Sequence, residues 1–313
     1  MIVSKDTELE ENKKTLEENK KTLEENKKTL EARKLMSAAL FGYDFSDYLD
    51  YIDVIDNNGA AALIYSLFNS ATSLGAFKEL ATETNLNLKI NDKTVLMFAS
   101  QCGKLDIVNY LVEKKDAGIE ATDRFRRTAL IYAAQRGHVE TVQYLLKSGA
   151  KFDATDNAGY TALIYAAEGG HVETVKHLFE KGAKIDATNK GGQTALIYAA
   201  LGGHKETVKY LVEKDALINV TDIAGYTALI YAAFNNRLDV VEFLLTNKNK
   251  ANINATTNQG QTALMLAAKK GHTPVYDYLI EQGARTDLID DNGRTALYYK
   301  DNFGEEDVGF GFI

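Results

Sequence analysis

The sequence predicts an all-α fold in which short helix–turn–helix units stack into a solenoid, and three observations support this prediction. The heptapeptide TALIYAA occurs four times, beginning at Thr128, Thr161, Thr194 and Thr227, at a constant step of 33 residues. Each unit carries two short apolar stripes with helical spacing. A segment of Asp, Asn and Gly residues follows the second stripe and is typical of a tight turn. A fixed period of this length indicates an array of repeats rather than one compact domain.

The period continues beyond the four identical heptapeptides. Variants of the motif begin at Ala61, Thr94, Thr262 and Thr295, which gives eight starts at steps of 33 to 35 residues. The two extra residues after Thr227 fall in a polar connecting segment, where a repeated unit tolerates insertions. We therefore expect about seven helix–turn–helix units followed by a half unit.

A single unit is too small to be stable alone. In the unit 128–160, Leu130, Ala133 and Ala134 share one face of the first helix. Val142 and Leu145 belong to the apolar stripe of the second helix. Each helix has about ten residues or fewer, a length at which an isolated helix is marginal in water. Both stripes must therefore be covered by the neighbouring copy.

The repeated residues resemble the ankyrin repeat family. The matching stretches are TALIYAA, TVLMFAS and TALMLAA, followed by GHVETVQYLL, GHVETVKHLF or GHKETVKYLV. The resemblance extends over roughly residues 53–300 and implies stacked units with β-turn tips. The Pro and His of the family motif are replaced here by Ala129 and Ile131 and their equivalents. Arg126 stands where the five following units have a turn glycine, so the pattern does not fix the geometry of that turn.

The pattern divides the chain into four predicted segments. Residues 1–34 are expected to form a low-complexity heptad helix, and residues 35–93 an acidic segment with a divergent N-terminal capping repeat. Residues 94–294 contain six ankyrin-like repeats. Residues 295–313 form a truncated C-terminal capping repeat and a tail. The predicted architecture is thus an ankyrin-repeat solenoid preceded by a charged N-terminal helix.

The N-terminal tract allows two interpretations. Residues 9–30 read LEENKKTLEENKKTLEENKKTL, with one leucine in seven and Glu–Lys pairs at i, i+4 that favour a helix. This helix is either a coiled coil that oligomerises the protein or a solvated helix. Because the second position of the seam is Asn or Lys, the heptads are poorly suited to association. We expect a monomer, with weak coiled-coil self-association as the alternative.

Composition and motifs argue against several classes of function. A net charge of −8 disfavours a nucleic-acid binder, and the single Cys102 excludes a disulfide framework or a cysteine-based zinc site within one chain. There is no signal-peptide pattern and no apolar run long enough to span a membrane, so we expect an intracellular, cytoplasmic protein. Neither a phosphate-binding loop nor a hydrolase or kinase motif occurs. The sequence predicts no enzymatic activity and no cofactor.

Two other patterns could suggest metal sites. His138, His171 and His204 recur at the 33-residue step. Stacked helices lie roughly 8–10 Å apart, whereas zinc ligands lie about 2.0–2.1 Å from the ion, so these histidines are interpreted as polar residues that open the second helices. The run YDFSDYLDYIDVID lacks the spacing of a calcium-binding loop. It is interpreted as an acidic, aromatic segment that covers the N-terminal unit, with a patch for a basic partner as the second interpretation.

Recognition is expected at positions where nearly identical units differ. The family resemblance implies that turn tips and first-helix faces line a concave surface that binds protein partners. The predicted partner-binding residues are Phe125, Arg127, Gln135, Arg136, Tyr160, Glu168, Gln193, Leu201, Tyr226, Phe234, Gln261 and Lys269. The tyrosines that recur at the repeat step are instead expected to form a ladder of stacked rings (Tyr65, Tyr132, Tyr165, Tyr198, Tyr231 and Tyr299).

The functional prediction is a non-enzymatic scaffold or adaptor that binds a protein partner of unknown identity through this surface. Aromatic side chains at its centre favour that prediction, because aromatic residues are frequent anchors of protein interfaces. The alternative is a structural protein that self-assembles through the N-terminal heptad helix.

Overall fold

The computed structural model describes residues 60–68, 73–81, 86, 89–90, 92–115 and 117–303. The predicted heptad helix, the acidic segment and the C-terminal tail lie outside these residues. The chain divides into two compact units, Met1–Ile90 and Asn91–Ile313. Two short strands, β1 (Lys89–Ile90) and β2 (Lys93–Thr94), lie on either side of that division in the sequence.

The described part of the first unit contains one helix pair. Helix α1 (Ala60–Phe68) packs against α2 (Leu74–Leu80), and Leu63, Leu67 and Phe77 are fully buried. The Gly-His pair that precedes the second helix in other repeats is missing here. Ser73 begins α2 instead, because its side-chain oxygen accepts a hydrogen bond from the Ala76 amide at 3.3 Å.

The described part of the second unit contains six helix pairs and a single final helix. The first helices of the pairs are α3 (Val95–Gln101), α5 (Ala129–Gln135), α7 (Ala162–Glu168), α9 (Ala195–Gly202), α11 (Ala228–Phe234) and α13 (Ala263–Lys269). The second helices are α4 (Leu105–Lys115), α6 (Val139–Lys147), α8 (Val172–Glu180), α10 (Lys205–Glu213), α12 (Leu238–Thr246) and α14 (Thr273–Glu281). The final helix is α15 (Ala296–Asp301).

These helices form two layers. Each first helix packs on the first helices of the neighbouring pairs, each second helix packs on its neighbouring second helices, and the two helices of a pair pack on each other. The contacts are thus between adjacent repeats, as in a solenoid. The prediction of an all-α repeat solenoid is confirmed.

The repeated threonine begins each first helix. Its Oγ1 accepts a hydrogen bond from the amide three residues later, as in Thr128 to Ile131 at 3.3 Å and Thr227 to Ile230 at 3.2 Å. This contact satisfies one of the amides that a helix leaves unpaired at its N-terminus. The next residues of the motif form the core, where Leu130 and Ile131 are buried. Burial of such side chains contributes about 1.5–3 kcal/mol each relative to exposure. The apolar Ile therefore takes the place of the family histidine.

The turn that contains Arg126 keeps the geometry of the glycine turns. Arg126 has φ +63°, in the left-handed region, and Gly159 has φ +85° at the equivalent position. The Arg126 amide donates to the Asp123 carbonyl at 2.9 Å, as the Gly159 amide donates to the Asp156 carbonyl at 3.1 Å. The left-handed conformation costs a non-glycine residue on the order of 1 kcal/mol. The chain thus maintains this turn against a local backbone penalty.

The repeated histidines connect adjacent repeats. Nε2 of His138 donates to the Gln101 carbonyl at 2.9 Å, and Nε2 of His204 donates to the Glu168 carbonyl at 2.8 Å. Each of these residues precedes a second helix and satisfies a carbonyl at the end of the first helix in the preceding repeat. Among the described residues, no group of three or more His, Cys, Asp or Glu side chains could hold a metal ion. No helix in the described ranges is long and apolar enough to cross a membrane.

Candidate functional site

The turn tips of the second unit share one hydrogen-bonding scheme. An Asp at the start of the tip accepts two backbone amides with one carboxylate oxygen. In Asp222, Oδ1 accepts from the Ala224 amide at 2.9 Å and from the Tyr226 amide at 2.8 Å. The equivalent positions are Asp123, Asp156, Asn189, Thr257 and Asp290. This side chain therefore fixes the shape of the tip and leaves the residues between its partners free to vary.

The second carboxylate oxygen holds a tyrosine of the first helix. The hydroxyl of Tyr231 donates to Oδ2 of Asp222 at 2.7 Å, and the hydroxyl of Tyr165 donates to Oδ2 of Asp156 at 2.8 Å. We refer to the tyrosines that contact their tip residue in this way as the tyrosine ladder: Tyr132, Tyr165, Tyr198, Tyr231 and Tyr299. Tyr65 aligns with them in sequence, but its side chain is not among those the structure describes.

Burial and the carboxylate contact both affect these phenols. Burial, assisted by the hydrogen bond to Asp222, raises the pKa of Tyr231 to about 12. The pKa of Tyr165 is raised for the same two reasons, burial and the bond to Asp156. A phenol that is protonated and already donating to a carboxylate cannot act as a general base near neutral pH. The ladder is therefore a structural element of the tip.

The residues before three of the motif threonines extend the ladder to the next repeat. The Gln193 amide donates to the Tyr231 hydroxyl at 3.1 Å, and the Gln261 amide donates to the Tyr299 hydroxyl at 3.5 Å. Tyr160 shares a hydrogen bond with the Tyr198 hydroxyl. Gln261 is only 6% exposed. Gln193 and Gln261 were predicted to contact a partner, yet in this structure their side-chain amides are engaged within the fold.

Ring contacts at the centre of the ladder run through the tip residues. The centroid of Tyr160 lies 5.1 Å from that of Tyr165 and 5.3 Å from that of Tyr198. Two repeats after Tyr160, the centroid of Tyr226 lies 5.0 Å from that of Tyr231. Tyr160 and Tyr226 are half-buried. The sequence predicts a ladder formed by the tyrosines that recur at the repeat step. In the structure, Tyr160, which lies at a varying position, contacts two of these rings.

Two repeats lack the ladder contact. In one, the first helix carries Phe98 at the tyrosine position; in the other, the tip begins with Thr257 instead of Asp and the first helix carries Leu266. Thr257 Oγ1 still accepts the Gln259 and Gln261 amides, at 3.3 and 3.2 Å. Asp and Tyr are therefore lost together, because the carboxylate has no second role without the phenol.

Lys93 occupies the first position of the same series. Its side chain is 2% exposed, and Nζ lies 3.8 Å from the ring centroid of Tyr132 and donates to the Gln101 side-chain carbonyl. Burial, with a smaller contribution from the Arg127 charge, lowers the pKa of Lys93 to about 7. The nearby thiol of Cys102 is also desolvated, which raises its pKa to about 11. At neutral pH the Cys102 thiol is therefore protonated, and the Lys93 amine, although partly neutral, is buried against the Tyr132 ring and the Gln101 side chain.

The last residues of the first helices combine a hydrogen-bonded backbone with a side chain that is half-buried or exposed. The carbonyls of Gln135 and Phe234 accept hydrogen bonds from His171 and His272. The Leu201 carbonyl accepts from Nε of Arg237 at 3.2 Å. The side chains of Gln135, Leu201 and Phe234 are half-buried, whereas those of Glu168, Arg136 and Lys269 are exposed. These six predicted residues lie where a partner can reach them without disturbing the stack.

The tips carry further exposed residues. Phe125 is 43% exposed, and Arg127 is bound to the buried Asp123 carboxylate at 2.9 Å. The most exposed large apolar side chain among the described residues is Ile223, at 74%, in the same tip as Tyr226. Sequence analysis missed Ile223, although its place in the tip is occupied by Asn157 and Lys190 in the two preceding repeats. That substitution of an apolar for a polar residue was the available signal.

We call the turn tips and the exposed ends of the first helices in the second unit the tip face. The family model of ankyrin repeats matches residues 35–124, 115–189, 182–257 and 248–300. The chain belongs to the ankyrin repeat family. Among solved structures, it is similar to the ankyrin repeat domain of Bcl-3, with 31% identity, a TM-score of 0.58 and coverage of 67% of this chain and 95% of that one. It is similar to the human ASB11 ankyrin repeat domain at 26% identity and a TM-score of 0.59, over 65% and 90% of the two chains.

Similarity to curated ankyrin repeat proteins is confined to short stretches. The chain is 38% identical to Inversin of Danio rerio over 65 residues, which is 20% of this chain and 6% of Inversin. It is 43% identical to Alpha-latrotoxin-Lh1a of Latrodectus hasselti over 53 residues, which is 17% of this chain and 4% of the toxin. The chain thus spans a small fraction of the length of these relatives. Ankyrin repeat domains are generally protein–protein interaction modules.

Proposed function

We propose that this protein is a non-enzymatic scaffold or adaptor that binds a protein partner through the tip face. The observation that supports the proposal most directly is that some residues of a tip fix the turn while others remain exposed. Asp222, for example, fixes the turn through Ala224 and Tyr226 and leaves Ile223 74% exposed. An exposed large apolar side chain on a rigid support is typical of an interaction site.

The centre of the tip face has the composition of an interface core. Ile223 and Tyr226 lie in one tip, and Leu201 and Phe234 end two first helices that pack on each other. The bond from Arg237 to the Leu201 carbonyl ties these two repeats together. Apolar and aromatic side chains on adjacent repeats, held by a fixed backbone, provide anchors that need little ordering when a partner binds.

The perturbed titratable groups support a non-enzymatic role. The strongest pKa shifts among the described residues belong to ladder tyrosines and to Lys93, and each has a structural cause. A displaced pKa can mark a catalytic residue, but it can equally result from a structural network. Lys93 lies against the Tyr132 ring, Tyr165 donates to Asp156 and Tyr198 accepts from Asn189, so contacts within the fold account for these shifts.

The proposal is tested by a variant that removes two anchors, Tyr226→Ala with Phe234→Ala. Affinity capture from source cells, with identification by mass spectrometry, would provide the partner, and its affinity would then be measured with purified components. We expect the double variant to bind at least about tenfold more weakly, roughly 1.4 kcal/mol. Because Tyr226 also contacts the Tyr231 ring, its unfolding midpoint should fall slightly but the array should remain folded.

The matched control is Leu217→Ala with Ile280→Ala, which removes two exposed apolar side chains outside the tip face. This control should bind the partner as the natural protein does. If both variants weaken binding equally, the interaction is not specific to the tip face. If the midpoint of the first variant collapses, its side chains belong to the core and the proposal fails.

A further inference from the structure

We propose that the first tip of the second unit is a receptor for an acidic, extended segment of the protein partner. This arginine tip consists of Arg124, Phe125, Arg126 and Arg127 and is joined on the tip face by Arg136. The inference rests on the proposed function and adds the chemistry of the partner: a run of Asp or Glu carboxylates interrupted by an apolar side chain.

The charge of this tip differs from that of every other described tip. Residues 121–128 read ATDRFRRT and contain three arginines and one aspartate. The following tips read ATDNAGYT, ATNKGGQT, VTDIAGYT and ATTNQGQT, with at most one basic residue each. The chain as a whole has a net charge of −8. A concentrated positive site on an acidic protein requires a specific counterpart, since the molecule as a whole repels acidic chains.

The tip presents its guanidinium groups around an exposed aromatic ring. The Arg124 and Arg127 guanidinium carbons each lie 4.7 Å from the centroid of Phe125. Phe125 is 43% exposed, and Arg124 and Arg126 are exposed as well. Stacking on the ring restricts the guanidinium planes before a partner arrives. A ligand that pairs with this surface needs carboxylates beside an apolar side chain.

The backbone of the tip is held from both sides. Asp123 accepts the Phe125 and Arg127 amides at 2.9 and 2.8 Å. Asn157 of the next repeat donates its amide to the Phe125 carbonyl at 2.8 Å and its side chain to the Arg124 carbonyl at 3.1 Å. The arginines therefore project from a rigid support, which lowers the entropic cost of binding.

Arg126 stands at a position where the five following tips have glycine. Its φ of +63° is the conformation that Gly159 and Gly225 adopt at equivalent positions, and Asp92 before Thr94 has φ +62°. A glycine would meet the backbone requirement without strain, so folding does not explain the arginine. Strained residues of this type are concentrated at functional sites. The choice of a guanidinium at this position is accounted for by a contact outside the fold.

The positive field extends from the tip to the end of the first helix. Burial lowers the pKa of Lys93, and the charges of Arg127 and Arg136 contribute to the same shift. Both guanidinium groups therefore lie within electrostatic range of the Lys93 amine. Arg127 also lies 4.8 Å from the centroid of Tyr132, one helical turn before Arg136. The arrangement continues from tip to helix as a basic strip rather than a single charge.

Guanidinium groups in this arrangement favour carboxylates. Arg127 already demonstrates the contact within the tip, since its Nε and Nη2 both lie 2.9–3.0 Å from Oδ2 of Asp123. Charge-assisted bonds from arginine to a carboxylate are stronger than neutral ones and are directional. Because the remaining arginines are exposed, their attraction for a ligand is screened by salt.

The test uses the full chain and a labelled peptide of repeating Glu-Glu-Leu triplets, with a Gln-Gln-Leu peptide as its uncharged counterpart. Fluorescence anisotropy measures both affinities at low and at physiological salt. The test variant combines Arg124→Asn, Phe125→Ala and Arg126→Gly, which gives the tip the sequence of residues 157–159. Because this sequence already folds in the next repeat, the unfolding midpoint should be unchanged or higher.

We expect the natural chain to bind the Glu peptide at least about tenfold more tightly than the Gln peptide, with an advantage that shrinks as salt increases. The grafted variant should lose at least about tenfold of this affinity. One control keeps its affinity: Lys205→Gln with Lys209→Gln removes two exposed basic charges from α10, outside the tip face.

Equal binding of the two peptides by the natural chain would overturn the inference. So would a grafted variant that binds as the natural chain does, or a loss of binding in the Lys205 and Lys209 control. These outcomes are separate from the test of the proposed function. If Tyr226→Ala with Phe234→Ala abolishes partner capture while the graft has no effect, the tip face binds a partner but the arginine tip does not select acidic segments.

Discussion

The tips that begin with Asp123 and Asp222 share one hydrogen-bonding scheme, but the first exposes basic side chains and the second exposes an apolar one. In both, one carboxylate oxygen accepts two tip amides and the other accepts a tyrosine hydroxyl nine residues later. Between the fixed points, the first tip carries Arg-Phe-Arg and the second carries Ile-Ala-Gly. Folding thus fixes the residues that make the hydrogen bonds at both ends of a tip, whereas the three residues between them can vary for recognition.

The comparison predicts its largest effect where the shared scheme is removed. Asp222→Ala deprives two tip amides and the Tyr231 hydroxyl of their acceptor. Hydrogen bonds to a charged group contribute more than neutral ones, and unsatisfied buried donors carry a desolvation cost. We expect the free energy of unfolding to fall by about 3 kcal/mol. Urea denaturation of the full chain, followed by circular dichroism, measures this loss.

The chain supplies a matched control for that prediction. Asn189 replaces Asp in another tip, where its side-chain oxygen accepts the Gly191 and Gln193 amides and its amide donates to the Tyr198 hydroxyl. Asp222→Asn can reproduce this arrangement and should cost about 1 kcal/mol or less. If Asn and Ala are equally damaging at position 222, the carboxylate charge rather than the hydrogen-bonding scheme stabilises the tip.

Much of the fold could be predicted because its signals are local and repeated. The threonine cap, the buried Leu-Ile pair and the two small alanines recur at the same step, so their agreement across copies reveals the helices. The turn at Arg126 also follows the repeat, although arginine disfavours the left-handed conformation found there. The hydrogen-bonding pattern of the five following tips predicts the geometry of this turn better than the propensity of one residue does.

The site was harder to predict because variation has two causes. Gln193 and Gln261 vary between repeats, as recognition residues do, but their amides reach a tyrosine 38 residues further along the chain. No local pattern reports a contact between one tip and the next first helix. The joint loss of Asp and Tyr at Thr257 and Leu266 was the signal within the sequence that tips and tyrosines are coupled.

Lys93 places a buried amine directly before a motif threonine, where later repeats have the uncharged Tyr160 and Gln193. The pKa of Lys93 is about 7 in the folded chain against an ordinary 10.5. Below pH 7 the folded state bears the cost of a buried charge. Between pH 7 and 10.5 the unfolded state binds more protons, so stability rises with pH. Lys93→Met should raise the free energy of unfolding at pH 6 by about 2 kcal/mol.

The pH dependence distinguishes this explanation from simple repacking. The gain from Lys93→Met should shrink as the pH increases from 6 to 9, because the natural lysine becomes neutral in the folded state. Lys190→Met, at an exposed position, should show no such trend. A gain that is constant across this range would mean that the ring contacts with Tyr132 and Phe98, rather than the charge, determine the energetics at position 93.

The smallest effect is expected at Arg126, where the first tip has a non-glycine residue in the left-handed conformation and the second has Gly225. Arg126→Gly removes the strain of φ +63°, worth about 1 kcal/mol. Glycine also gives the unfolded chain more freedom, which costs about 0.4–1 kcal/mol. The two terms nearly cancel, and we expect a gain of no more than about 0.5 kcal/mol in the free energy of unfolding.

Arg126→Asn separates these two terms, because asparagine tolerates the left-handed conformation without the added freedom of glycine. It should therefore stabilise the array more than Arg126→Gly does, and thermal unfolding of the two variants beside the natural chain measures the difference. Neither variant retains the guanidinium, so both should bind the Glu-Glu-Leu peptide more weakly by the same factor. A loss of stability in both variants would mean that the Arg126 side chain supports the fold, and its retention would then need no partner.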